Sequence, residues 1–233
     1  MSEEDGIHQL NRSYSPALNL VPPNSKSKRY DDALAYFRTI SWCADLLGVS
    51  GTYYFRPNCR NPASDHRDQF FSTTVATPTT LKHVLCFFAT EDRDVLQDTS
   101  TPIAKVQTLY APEDGLGGVG SMMHGGMIMA LLDESSNVLL EINAVMNKQD
   151  TMFQAGSVTG GMEIKFMTPV LTRQTVLATA NIDAVEGRKM RIKCDICDED
   201  GIILAKASST WFVVKHHLYG MNVFKEFPYN ETE

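Results

Sequence analysis

The sequence predicts an α+β protein in which one curved antiparallel sheet packs around a single long helix. Three observations carry this. From Gly125 to Met146 the run GGMIMALLDESSNVLLEINAVM is apolar around most of its circumference, the mark of a buried helix. After Gly160-Gly161 the hydrophobic period drops to two, with Met162, Ile164 and Phe166 alternating with Glu163 and Lys165. Two β-rich segments, Leu81 to Thr90 and Ala104 to Tyr110, precede the helix.

The elements follow in order. Residues 1–29 are rich in Ser, Asn and Pro and read as a flexible leader. A segment over 30–75 opens with a helix from Ala33 to Leu47, its Leu34, Phe37, Ile40, Cys43 and Leu47 on one face and Gly48 ending it. An irregular stretch with Pro57, Cys59 and Pro62 follows, running into the polar residues Ser64 to Gln69. The main domain spans 76–217 and a tail 218–233. Between the second strand and the helix lies Gly115-Leu116-Gly117-Gly118-Val119-Gly120, whose glycines require unusual dihedrals or close backbone approach. Beyond the helix, strands are expected over Thr175 to Val185, Lys189 to Cys197 and Ile202 to Val214. They are joined by turns at Glu186-Gly187-Arg188 and Asp198-Glu199-Asp200-Gly201.

Composition narrows the function classes. Of 233 residues, 43% are hydrophobic and 21% charged, enough apolar material for a substantial core. A net charge of −7 without a basic stripe argues against nucleic acid. The one basic cluster, Lys26-Ser27-Lys28-Arg29, reads as a solvated linker rather than an anion or membrane site. Five cysteines, an odd number, do not suggest a secreted disulfide framework. The acidic start, Met1 to Asp5, fits neither a signal peptide nor a transit peptide, and the apolar run Met122 to Leu132 is too short to span a bilayer. A cytoplasmic protein without a membrane partner is the expectation.

Two features carry chemistry. His124-Gly125-Gly126 leads into the long helix, where unpaired N–H groups meet the positive end of the helix dipole. Such a place can bind a carbonyl oxygen and stabilise a developing oxyanion; the alternative is that the glycines only permit a tight turn. Asp133 lies nine residues beyond His124, inside the apolar run. A carboxylate buried there carries a desolvation cost and is a candidate base or nucleophile; the alternatives are a solvated edge or a subunit interface. Glu134 is the rival carboxylate. Cys194-Asp195-Ile196-Cys197 is a CxxC on a strand, where residues three apart face opposite ways, so no metal is expected there. Cys43 and Cys86 read as core residues. His216-His217 reads as a solvated chain end rather than a metal site. Met122, Met123, Met127 and Met129 fit core filler or the lining of an acyl tunnel, and Phe37 and Trp42 fit a staple to the sheet or a lid.

HGGMIMALLDE, from His124 to Glu134, resembles the signature of the hotdog thioesterase superfamily, in its phenylacetyl-CoA-type and mammalian THEM-like branches. Members carry HGG at the start of the central helix and an Asp nine residues later. SVTGGMEIKFMTPV, from Ser157 to Val170, is similar to their next strand, with a Ser or Thr ten residues before a Pro; here these are Thr159 and Pro169. The likeness covers roughly residues 81–215, and the chain as a whole is most similar to fungal members with an extended N-terminal helical region. It implies the hotdog fold and hydrolysis of an acyl thioester, most readily acyl-CoA, without metal or other cofactor. The Gly125 N–H would polarise the carbonyl with Gly126 assisting. His124 would hold the loop or the carbonyl, and Asp133 would activate water or attack directly. Thr159 would come from a partner subunit, in a homodimer or a dimer of dimers. Many relatives place Asn or Gln at the substrate-contacting position that Gly118 occupies here, so that hydrogen bond is missing or supplied elsewhere. Two other readings stay open: release or editing of acyl groups on a carrier protein, and a non-catalytic acyl-CoA-binding protein.

Overall fold

The computed structural model describes residues 32–60, 69–92, 94–154 and 156–213. The expected leader, the tail, His216-His217 and most of the run from Pro62 to Gln69 lie outside them. The long helix, α4, spans Gly125–Val145. It is not enclosed on every side. Leu131, Leu132, Ser136, Val138, Leu139, Ile142 and Asn143 are buried, whereas Gly126, Met129, Ala130, Asp133, Asn137, Glu141 and Ala144 form a flank at least partly open.

Polar residues on the buried side of α4 are satisfied locally. The Ser135 and Ser136 hydroxyls donate to the carbonyls of Leu131 and Leu132, one turn back, at 2.7 and 2.9 Å. Ser135 also shares a 2.9 Å hydrogen bond with the Tyr110 hydroxyl. Asn143 grips Ile103 from both sides, accepting from its N–H at 2.7 Å and donating to its carbonyl at 2.9 Å. Glu134, the rival carboxylate, is buried against the Cys59 thiol.

Seven strands form one antiparallel sheet: β1 (Thr52–Phe55), β2 (Leu81–Ala89), β3 (Lys105–Pro112), β4 (Ser157–Phe166), β5 (Val176–Glu186), β6 (Lys189–Cys197) and β7 (Ile203–Val213). Their order is β1-β2-β3-β5-β6-β7-β4. The chain leaves β3, runs through α4 and returns as β4 at the far edge, with three strands filling the gap. This is the hotdog fold, extended past β3 by β2 and β1. The inner face meets α4 through Val106, Tyr110, Ala178, Ala180, Ile192 and Cys194.

The outer face is covered along β1, β2, β3 and β5 by two short helices, α1 (Asp32–Phe37) and α2 (Ser41–Leu47). The single helix expected over Ala33 to Leu47 is thus broken. The Thr39 hydroxyl donates to the Tyr36 carbonyl at 2.7 Å, and Ile40 takes an extended conformation. Phe37 is fully buried, and Trp42 packs beside it against Tyr54, Leu85, Phe87 and Leu109. Both therefore staple the helices to the sheet on the side away from α4. β1 has no counterpart in the sequence reading because all four of its residues are buried, which erases the alternation that marks a strand. The one-turn helix α3 (Asp94–Gln97) also escapes it; the Asp92 side chain accepts from the Asp94 N–H at 2.9 Å. A second one-turn helix, α5 (Thr151–Gln154), precedes β4.

The cysteines behave as core residues. Cys194 faces α4 and Cys197 the outer cluster, so the CxxC pair is split across the sheet. Cys43 and Cys86 are both fully buried, and burial pushes the Cys43 thiol up to about 12. Among the methionines, Met123 and Met127 are core and Met122 and Met129 are exposed.

Phe37→Ala removes a fully buried ring that joins α1 to the sheet. Chemical denaturation is expected to show a loss of about 3–5 kcal/mol, as for other buried Phe truncations.

Candidate active site

His124 is built into position by the loop before it. Its N–H donates to the Leu116 carbonyl at 2.9 Å, the Met123 N–H to Val170 at 2.8 Å, and the Gly118 N–H to Met122 at 2.8 Å. Two glycines meet the demands the loop places on them. Gly120 has φ of +60°, and a Cβ on Gly115 would stand 2.4 Å from the Thr79 carbonyl oxygen. Gly118 packs flat on His124, where a Cβ would lie 3.3 Å from the His124 Cα. Its part in the structure is therefore to back the histidine, and it carries no side chain toward a ligand.

His124 is the N-cap of α4, with φ −61° and ψ 132°. Its Nδ1 accepts the Gly126 N–H at 3.0 Å, so the neutral ring carries its proton on Nε2. This uses the Gly126 N–H, contrary to the assisting role implied for it. Among the described residues no acceptor takes the Gly125 N–H. One donor therefore stands open at the positive end of a 21-residue helix. The exposed Phe166 ring flanks it, at 3.6 Å from where a Gly125 Cβ would be.

Asp133 lies two turns further along α4 on the open flank. Its Oδ1 accepts the Thr159 hydroxyl at 2.7 Å. This bond is made within one chain, so Thr159 and Asp133 travel together. Burial raises the Asp133 pKa above its ordinary value, and the Thr159 hydrogen bond opposes that rise by favouring the carboxylate. Sequence reasoning had no signal for two neighbours. Trp211 stands opposite Thr159 on β7 and donates through Nε1 to the Ser209 hydroxyl at 2.9 Å. Ser209 in turn lies 3.5 Å from Ser136, one turn beyond Asp133.

The two halves are well separated. Gly125 and Asp133 are eight residues apart on one helix, roughly 12 Å at the usual rise per residue. No single carbonyl group touches both within one chain. Among the described residues, no cluster of three or more His, Cys, Asp or Glu side chains is arranged to hold a metal.

Residues 120–205 match the family model described as the thioesterase superfamily. In sequence, the chain is 29% identical over 170 residues to verlamelin biosynthesis protein B of a Lecanicillium species, covering 62% of this chain and 72% of that one. Among solved structures it is similar to the PaaI protein of the E. coli phenylacetic acid degradation operon. The identity there is 14%, over 48% of this chain and 73% of that one, with a TM-score of 0.42. It is also similar to zebrafish thioesterase superfamily member 2, at 20% identity over 54% of this chain and 88% of that one, with a TM-score of 0.42. No helix among the described residues is long and apolar enough to cross a membrane.

A Cβ on Gly126 would lie 3.0 Å from the His124 Nδ1. Gly126→Ala is therefore expected to push the ring off its cap and lower stability by about 1 kcal/mol in thermal unfolding, the usual value of an N-cap.

Proposed function

We propose that this protein hydrolyses an acyl thioester, most readily an acyl-CoA, at a site shared between two copies of the chain. The observation that carries the reading is the pairing of an open Gly125 N–H with the Asp133–Thr159 hydrogen bond. Their separation along α4 supports the shared site, with Gly125 of one copy serving the carbonyl that Asp133 of the other attacks through water. An exposed apolar surface is available for the pairing. Met129 lies on the open flank of α4, and Phe166, Met167 and Leu171 lie on or just beyond the edge strand β4. An unpaired apolar edge is a surface that a second copy covers. The free cysteines suit the reducing cytoplasm.

The steps follow from the positions. The thioester oxygen accepts the Gly125 N–H, which stabilises the negative charge that develops there. Thr159 occupies Oδ1 of Asp133, leaving Oδ2 to take a proton from water. The resulting hydroxide attacks the carbonyl carbon, the C–S bond breaks, and the proton held on Asp133 passes to the departing sulfur. Direct attack by Asp133, giving an anhydride that water then opens, uses the same groups. A carrier-protein thioester fits the same chemistry, and an assay against both carriers separates the two substrates.

Three outcomes are expected. Asp133→Asn should cut turnover of a panel of acyl-CoAs by about 10²–10⁴-fold, the usual range for a general base. The raised pKa of Asp133 means its charged form is penalised in the fold, so above that pKa the Asn variant should unfold no earlier than wild type. As pH falls through it, wild-type kcat/KM should decline and the stability difference vanish. Turnover by the Asn variant at the wild-type rate would refute the assignment.

Gly125→Pro replaces the N–H by a ring carbon. Proline suits the first helical position, and His124 already has the extended conformation that a residue before proline requires. A loss of about 10²–10³-fold in kcat with α4 intact by circular dichroism is expected. Mixing the Gly125→Pro and Asp133→Asn proteins under exchange should restore about one quarter of wild-type activity, since random pairing gives half mixed dimers, each with one complete site. An unshared site would give no recovery.

A further inference from the structure

β4 is irregular at one place, directly beside Thr159. Thr159 stands opposite Trp211 and Gly161 opposite Thr210, so Gly160 is an extra residue without a partner on β7. Side chains alternate across a strand, and an extra residue reverses which face the following ones take. Ser209 and Trp211 are turned to α4, as the contact with Ser136 shows. Thr159 shares that face, whereas Val158 and its partner Phe212 are exposed on the other. In an unbroken strand of the same sequence Gly160 would oppose Trp211, and Thr159 would point outward at Phe212. The Phe212 ring occupies the space over Gly160, where a Cβ would stand 2.3 Å from a ring carbon.

We propose that Gly160 is a positioning residue: the bulge it forms beneath the Phe212 ring turns Thr159 inward onto Asp133. The inference rests on the reading of Asp133 as the reactive carboxylate. A strand of this length with two adjacent glycines has weak preference of its own for one register. The bulge settles the register by placing Val158 beside Phe212 and giving Thr159 an acceptor. Other titratable groups do not compete for the effect. Burial and Thr159 are the two causes of the Asp133 shift. On α4 itself the remaining carboxylates are Glu134 and Glu141. The titratable groups in the core shared with the helix are Tyr53 of β1, Cys86 of β2, Tyr110 of β3, Cys194 of β6 and Cys59, while Arg60 lies next to Cys59. Glu163 and Lys165 of β4 alternate with the inward Met162 and Ile164 and so lie on the far face.

The test reads the Asp133 carboxylate by carbon NMR titration of the full chain, beside the pH profile of kcat/KM. Thr159→Ala sets the reference for a lost hydrogen bond and should shift the Asp133 midpoint upward. Gly160→Val would displace the Phe212 ring from its place over the bulge and favours a regular strand, so it should give the same upward shift and move the acid limb of the profile with it. Deleting Gly160 joins Thr159 to Gly161 in an unbroken strand that still sets Thr159 opposite Trp211, so the midpoint should stay at the wild-type value. Simple weakening of β4 would move both variants the same way. The inference is overturned if Gly160→Val keeps the wild-type midpoint, or if the deletion reaches the Thr159→Ala value. Should Gly160→Val not fold, the deletion decides alone. Full turnover by Asp133→Asn alongside the expected midpoints would instead sink the assignment of the base and leave the positioning intact.

Discussion

A helix of 21 residues with apolar side chains on most sides must be enclosed, and enclosing α4 dictates the remainder of the fold. The sheet curves around it, and the strands before and after it, β3 and β4, are driven apart by the three that follow. Every polar group on the enclosed side needs a partner, because an unmet one is costly there. Ser135 and Ser136 meet this within the helix, and Asn143 meets it by clasping Ile103 at the entrance to β3. The Asp133–Thr159 pair lies where enclosure stops, along the flank that β4 leaves open.

Two opposed effects act at Asp133. Partial burial disfavours its charge, and the Thr159 hydroxyl favours it. The balance produces a carboxylate that is more basic than one in water yet held in one orientation. At the start of the helix the His124 cap plays a comparable part. By taking the Gly126 N–H it removes a competing donor and leaves Gly125 as the open one. The loop carries no side chain at Gly118 because that position supports the histidine ring.

The N-terminal segment works on the opposite side of the sheet. α1 and α2 close the outer face over β1, β2, β3 and β5, and burying that surface stabilises the fold without touching the open flank of α4. The outer face beyond it, on β6 and β7, carries charged side chains beside the exposed Phe212 ring. There Asp183 pairs with both Arg191 and Lys193 at the surface, contacts worth little to stability in water.

The sequence by itself determined the α+β class, the limits of α4 to within one residue at either end, and the strands after it. It also singled out His124, Gly125, Asp133 and Thr159. The elements are legible because hydrophobic period, turn residues and helix caps act between neighbours in the chain, whereas Thr159 was marked only by the family resemblance. The tertiary structure alone decided that α4 is open along one flank, and that the Ala33 to Leu47 helix breaks at Ile40. It alone showed that TYYF, residues 52–55, is a strand, since burial on both faces leaves no alternation to read. The same holds for the site. That Thr159 bonds Asp133 within its own chain depends on which residues distant in sequence come to face one another. A register shift of one residue at Gly160 reverses that facing, and no local pattern records it.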